Sequence, residues 1–579
     1  MENYCIFGKK CPTLSINAPT WRLPSFWRTA MVGPEMDARI RALDDIFLPF
    51  NRSDAPGMVV GVAHHGRLLY RRGFGLANLE HAVANTPTTR MRIGSTSKQF
   101  TCLATLLLAE EGKLEVDASI RTYVPELPVL AGEPTFRQLM THTGGYRCYL
   151  DLAVIGNAGA MLKEGKALSY QILQQDVNFP PGERMAYCNG GYHLLSVAVA
   201  RASGMAFETF LKRRIFDPLG MRNTDSVPND LIVVPRKATP YVRQPDGRYL
   251  HGMTPVEDMR GEGAIVSTVD DMLIWLAHLR GTKQIGNEAS WAQMLTPATY
   301  SSGLVGTYCL GLARETCQGT EVIHHAGGVV GGASQMITLP KHELDIIVIT
   351  NGAPANPDDL AWQIIERILG ETLPGNKPPR ARTSDSKGLV GHYWSETTKT
   401  LVEVVDEQGH LVLNWLNSIQ SPVFVLEDGY GVASRGVGPL TFRQAPACQE
   451  TGVPVLELTS CGHIERFARL PDVPPSAADF ARGLTGTYVS HDLEAVASIR
   501  FDGTAVAFDM KGEYGGWTSD LQVIAPDIAT SAVGPAVYGV PTVLYADRDE
   551  AGIAQGFWLS TPRSRNLRFV RTSPIITQD

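Results

Sequence analysis

Apolar positions along the chain change their period three times, and each change predicts a different kind of structure. Residues 35–50, EMDARIRALDDIFLPF, carry apolar side chains at helical spacing, and residues 57–78, GMVVGVAHHGRLLYRRGFGLAN, read as two apolar strands joined at His65-Gly66. Further on, Phe100, Leu103, Ala104 and Leu107 fall at i, i+3, i+4 and i+7, which predicts an amphipathic helix opening near Ser95 and ending near Gly112. HELDIIVITNG, residues 342–352, predicts a buried strand. DDLAWQIIERILG, residues 358–370, predicts a closing helix whose Gly370 can take a left-handed C-terminal position.

Residues 371–388, ETLPGNKPPRARTSDSKG, are rich in proline and charge and propagate neither helix nor strand. Beyond them the texture becomes short alternating runs separated by turn signals. GLVGHYWS at 388–395 recurs as GLTGTYVS at 483–490, and each copy leads into such runs, LVEVVDEQGHLVLN and then ASIRFDGTAVAFD. PDVPPSAAD, residues 471–479, is the seam between the two modules. Many short strands suit small closed or nearly closed barrels, which remove exposed edges. The expected organisation is an unstructured extension over 1–34, an α+β catalytic domain over 35–372, a linker over 373–387, and antiparallel β-barrels over 388–475 and 476–579.

Composition narrows the function. With 52 basic and 59 acidic residues the chain has a formal charge of −7 and no basic run, so neither nucleic acid nor an anionic membrane is an expected partner. Nine cysteines, odd in number and without zinc-type spacing, predict free buried thiols in a reduced compartment. Neither a secretory h-region nor a membrane-length apolar run is visible, and a cytoplasmic location is expected. The pairs His64-His65 and His324-His325 point to opposite faces of a strand, no HExxH pattern occurs, and GGVVGG lacks the ending of a phosphate loop. No metal or cofactor is expected.

Three short motifs remain. In Ser95-Thr96-Ser97-Lys98 the serine and lysine are three residues apart at a helix start, so they share a face, and the helix N-terminus favours both an anionic serine oxygen and a neutral lysine. The same letters also describe an ordinary N-cap. Tyr187-Cys188-Asn189 follows a turn and precedes an apolar helix, which allows the tyrosine and the amide to point into one cleft. His325-Ala326-Gly327-Gly328 opens a strand with glycines, which permits close approach of a peptide that pairs with the strand edge.

The order SxxK, YxN, HxG, together with TFRQLMTHTGGY, PGERMAYCNGGY, RRIFDPLGMRNT and GEGAIVSTVDDMLIWL, resembles the penicillin-recognising serine hydrolases over roughly residues 50–370. That superfamily holds DD-peptidases, class C β-lactamases, esterases and D-aminopeptidases. The pattern is most similar to the D-aminopeptidases, which carry two extra C-terminal barrels. The resemblance implies an antiparallel sheet with helices, a homodimer, and a serine aminopeptidase that releases N-terminal D-residues such as D-Ala from peptides and amides. In it Ser95 is the nucleophile, Lys98 its base, Tyr187 a proton relay, and Asn189 the group that orients Lys98. The N–H groups of Ser95 and Gly328 form an oxyanion hole, and Gly327-Gly328 receives the substrate strand.

His325 stands where β-lactamases usually have lysine. A mostly neutral imidazole anchors a carboxylate less well, which argues for substrates recognised at the other end. The resemblance also implies a loop from the last barrel that offers a carboxylate to the substrate amine. Residues 509–522, DMKGEYGGWTSDLQ, are the expected loop, with Asp520 preferred over Glu513. An esterase, a DD-carboxypeptidase or β-lactamase-like enzyme, and a non-catalytic D-peptide sensor remain as alternatives.

Overall fold

The structure is a computed structural model that describes residues 34–572 apart from 318, 371–378, 387, 416–418, 433–439, 448–451, 461–462 and 534–539. The expected extension over 1–34 and the first half of the linker therefore lie almost wholly outside the described residues.

Helix α1 (Pro34–Arg41) is shorter than its pattern predicts, and the chain re-forms single turns at Asp44–Phe47 and Leu48–Phe50. The break lets Leu43, Ile46 and Phe47 all turn inward, and Pro49 lacks the N–H that a continuing helix needs. Strands β1 (Met58–His64) and β2 (Arg67–Phe74) form the expected hairpin. His65 and Gly66 both have positive φ, +50° and +67°, the pairing that a tight two-residue hairpin turn requires.

A helical lobe follows, with α2 (Lys98–Glu110), α3 (Tyr149–Asn157), α4 (Asn189–Ser203) and α5 (Val269–Arg280). The chain then returns to the sheet through β3 (Ala313–Cys317), β4 (Thr320–Val329), β5 (Gly332–Leu339) and β6 (Leu344–Thr350), and closes with α6 (Pro357–Leu369). The sheet is antiparallel in the order β3-β4-β5-β6-β1-β2. One core fills the space between the sheet and the helical lobe, and a second lies under α6 on the other face. Gly370 does end α6 at positive φ, but with ψ −132°, a conformation open to glycine and outside the ordinary left-handed helical well.

Eight strands from Gly391–Ser395 to His463–Arg469 close into a barrel, and nine from Gly486–Ser490 to Leu567–Arg571 curl into a nearly closed one. The repeated octapeptide supplies the first strand of each. In both copies the tyrosine hydroxyl donates to a carbonyl four residues back, Tyr393 to Leu389 and Tyr488 to Leu484. In both, the last strand lays an arginine, Arg469 or Arg571, over that tyrosine ring and donates to the carbonyl of Gly388 or Gly483. Part of the expected linker belongs to the first barrel: Ala381 is fully buried, donates to Val423 O and accepts from Leu411 N–H.

No single helix among the described residues is long and apolar enough to cross a membrane.

Candidate active site

Residues Gly94–Ser97 form one 3₁₀ turn that runs directly into α2, so Ser95 sits a turn ahead of the α-helix proper. The turn presses on β4. Gly94 has φ +53°, and a Cβ there would fall 2.7 Å from Gly328 N; a Cβ on Gly327 would fall 1.9 Å from Ile93 O. A Cβ on Gly328 would meet nothing within 4 Å, so that residue borders open space. Pairing of β3 with β4 ends at Ala313 opposite His324, which leaves the outer edge of β4 without a strand partner among the described residues from His325 onward. An extended chain can pair with such an edge beside Ser95.

Lys98 is fully buried at the start of α2. Its Nζ donates to Ser95 Oγ at 3.1 Å, to Asn189 Oδ1 at 2.8 Å and to Glu262 O at 2.7 Å, and it lies 4.7 Å from the Tyr187 ring centroid. Burial drives the Lys98 amine down to about 7, with the charge of Glu262 working in the opposite direction. Glu262 is itself buried and accepts from the Tyr149 hydroxyl. Burial alone would raise the Glu262 carboxyl, but His193 and Tyr149 bring it below its ordinary value.

The Tyr187 phenol is pushed upward by burial, while a hydrogen bond with Ser95 and the charge of Arg563 act against that rise. His142 stacks on Tyr187 with ring centroids 4.1 Å apart, and its Nδ1 accepts from the Cys188 N–H at 3.0 Å, fixing the loop that carries Tyr187 and Asn189. His325 is buried, and burial followed by the Lys98 charge lowers its imidazole to about 3. Nδ1 lies 2.6 Å from Ala326 O, which makes it the protonated nitrogen, so Nε2 accepts from the Tyr308 hydroxyl at 2.8 Å. Both nitrogens of this neutral ring are thus engaged within the protein.

The expected residues Ser95, Lys98, Tyr187, Asn189, His325, Gly327 and Gly328 converge here. Asp520 does not join them, and the expectation about its loop is corrected by the packing. Asp520 is exposed at the end of strand Gly516–Asp520, opposite Ala507. Trp517 Nε1 donates to Ile155 O and Tyr514 N–H to Asn157 Oδ1, which ties this hairpin to the C-terminal end of α3, while Tyr149 of the site is at the other end. A Cβ on Gly512 would fall 2.1 Å from Gly156 O, so the glycines serve this close contact with α3. Glu513 pairs with Lys166 at 2.6 Å.

Residues 561–566 of the last barrel pack against the start of α3 and the segment that leads into it. Ser564 Oγ accepts from Cys148 N–H, Arg147 donates to the carbonyls of Arg565 and Asn566, and Asn178 Nδ2 donates to Arg563 O. Arg563 pairs with buried Asp151, and its charge is felt at Lys98 and at Tyr187. Sequence reasoning missed Arg563, Tyr308, His142 and Glu262. Glu262 and His142 lay within stretches that carried the resemblance, whereas Arg563 lies on a barrel loop without a motif. Among the described residues no group of His, Cys, Asp and Glu is arranged to hold a metal.

The family model described as Beta-lactamase matches residues 36–369, more than half of the chain. This chain belongs to the beta-lactamase family. It is 26% identical over 533 residues to a D-aminopeptidase of Brucella ovis, covering 90% of this chain and 93% of that protein. It is 28% identical over 554 residues to a D-aminopeptidase of Cereibacter sphaeroides, covering 93% and 99%. Its fold is similar to that of an octameric penicillin-binding protein homologue from Pyrococcus abyssi, with a TM-score of 0.50, 17% identity, and coverage of 93% and 99%. As a member of this family with such relatives, the chain is a serine hydrolase, and its similarity to the D-aminopeptidases extends beyond residues 36–369.

Proposed function

We propose that this beta-lactamase family member is a D-aminopeptidase that releases N-terminal D-residues from peptides and amides through an acyl-enzyme on Ser95. The observation that carries the reading is Lys98: a fully buried amine, lowered to about 7 and in contact with Ser95 Oγ at 3.1 Å. The substrate lies extended along the free edge of β4. Neutral Lys98 takes the Ser95 proton as Oγ attacks the carbonyl carbon. The resulting oxyanion accepts hydrogen bonds from the N–H groups of Ser95 and Gly328, each typically worth ~3 kcal/mol. As the C–N bond breaks, the proton passes through Tyr187 to the departing amine. Water then attacks the ester, gives up a proton to the same base, and restores the Ser95 hydroxyl. Asn189 holds Lys98 in line, and His325 supports Tyr308 and the Tyr187 side of the cleft without contributing charge.

Relatives named D-aminopeptidase along nine-tenths of the chain support the choice of substrate. A hydrolase for acyl groups without a free amine is the second reading, and one observation favours it: the last barrel brings the Arg563 guanidinium to this side of the site rather than a carboxylate. Hydrolysis of D-Ala-p-nitroanilide, L-Ala-p-nitroanilide and N-acetyl-D-Ala-p-nitroanilide separates the two, with Ser95→Ala as the blank. Turnover of the free D-amine alone, lost in Ser95→Ala, is expected. Turnover of the acetylated compound alone selects the second reading, and full activity in Ser95→Ala removes the nucleophile.

A further inference from the structure

The cations around Ser95 differ in what they have left to offer. Lys98 has three protein acceptors and no exposed surface. Arg147 is 1% exposed, and its Nε, Nη1 and Nη2 donate to Arg565 O, Asp492 Oδ2 and Asn566 O. Neutral His325 has both ring nitrogens engaged. Arg563 is different. About a third of its side chain, 33%, is accessible, Nη2 donates to Asp151 Oδ1, and no described residue accepts from its Nε or Nη1.

Its counter-ion is fully engaged within the protein. Asp151 is fully buried, and its second oxygen accepts from Thr561 Oγ1 at 2.6 Å, so both of its oxygens are committed to the barrel loop. The loop is held before any ligand arrives: Thr561 Oγ1 accepts from Arg563 N–H and Ser564 N–H, and Asn178 fixes Arg563 O. A guanidinium fork held in place with spare donors matches the two oxygens of a carboxylate, and holding it in place beforehand reduces the entropy lost on binding.

We propose that Arg563 is a specificity residue that anchors a carboxylate of the substrate, so that the site prefers anionic substrates to their neutral counterparts. The proposal rests on the functional reading above for the scissile bond and adds the substrate class. It places the anchoring cation on the barrel loop that pairs with Asp151 of α3, the helix whose Tyr149 donates to Glu262, whereas neutral His325 on β4 provides none. The carboxylate belongs either to the side chain of the acyl residue or to the terminus of the leaving peptide, and the two sources are separable.

The test compares kcat/KM for two matched pairs, D-Glu α-p-nitroanilide against D-Gln α-p-nitroanilide, and D-Ala-Gly against D-Ala-Gly-amide. One pair is expected to favour its acid by about tenfold in the native enzyme, as a charge-assisted fork contact implies. Arg563→Gln should bring that ratio near one, and Arg563→Lys, which keeps the charge but not the fork, should leave it between. A third pair without an amine, 4-nitrophenyl hydrogen succinate against its methyl ester, reports on Arg563 alone. Preference for the acid in this pair only, with rejection of both free-amine pairs, removes the aminopeptidase reading and keeps the anchor. Ratios near one for all pairs in the native enzyme, or an acid preference that survives Arg563→Gln, overturn the proposal.

Discussion

Lys98 sets the chemistry of the site. A protonated amine has three donors and meets three acceptors, Ser95 Oγ, Asn189 Oδ1 and Glu262 O. Losing one proton leaves a lone pair, and the acceptor that can give up its bond is Ser95, whose own hydroxyl then donates to nitrogen. Under the proposed mechanism, kcat/KM should therefore rise with pH up to about 7, where Lys98 is half deprotonated, and level off above it. The Glu262 charge favours the protonated amine, so Glu262→Gln should move this limb to lower pH by about one unit. A limb that stays in place in the pH profile of the variant would remove Glu262 from the tuning of Lys98. Stability has the same origin. Between about 7 and the ordinary lysine range the unfolded chain binds a proton at Lys98 that the folded chain does not, so this residue's cost to the fold declines as pH rises through that window.

Elements were legible wherever a local rule decided them. The turn at His65-Gly66 was fixed by two residues that tolerate positive φ, and the repeat at 388–395 and 483–490 marked the opening strand of each barrel. The geometry shared by the two copies of the repeat, a tyrosine donating back four residues beneath an arginine from the last strand, gives it an energetic role. Arg571 donates to Ala554 O, Thr485 O, Gly483 O and the Tyr488 hydroxyl, which closes the last barrel between its first and final strands. Arg571→Ala should cost about 2 kcal/mol, lowering the denaturant midpoint, because several charge-assisted bonds go and their acceptors are left partly unmet. An unchanged midpoint would show that the two end strands hold without it. Legibility failed where one signal serves two purposes. Glycines at 512 and 515 mark a close approach, yet the sequence does not say to what, and they meet the end of α3 rather than substrate, while Gly516 closes on Met510 O of its own hairpin. Proline and charge at 379–386 suggested a free linker, although Ala381 inserts into the first barrel. The site motifs were readable because Ser95 and Lys98 share a helix face, whereas Arg563 acts through a contact between distant segments that no local spacing encodes.

At the scale of the molecule, the last barrel and the catalytic domain share a core. Tyr149, Leu152 and Ile155 of α3 pack in one buried cluster with Phe508, Met510 and Phe557 of the barrel, so the barrel completes the interior of the lobe that holds the nucleophile. Beside that cluster Arg147 and Asp492 form an ion pair at 2.6 Å with exposures of 1% and 6%. Removing one member of such a pair leaves a buried charge and typically costs about 3–5 kcal/mol. Asp492→Ala should accordingly loosen the 561–566 loop, whose carbonyls Arg147 also holds, and reduce activity and stability together. The first barrel has a core of its own and touches the catalytic domain through thinner contacts such as Arg184 with Glu465 at 3.8 Å. A chain ending at residue 475 would therefore expose the apolar face of α3, and also Trp394 and Leu401 of the first barrel, which pack on Ile524, Ile528 and Val543 of the last, and should aggregate or lose activity even though Ser95, Lys98 and Tyr187 are all present. Calorimetry of the full chain should show the catalytic domain and the last barrel melting in one transition. If the shortened chain is monodisperse and melts where the catalytic domain of the full chain melts, the two are independent units and the shared cluster contributes little.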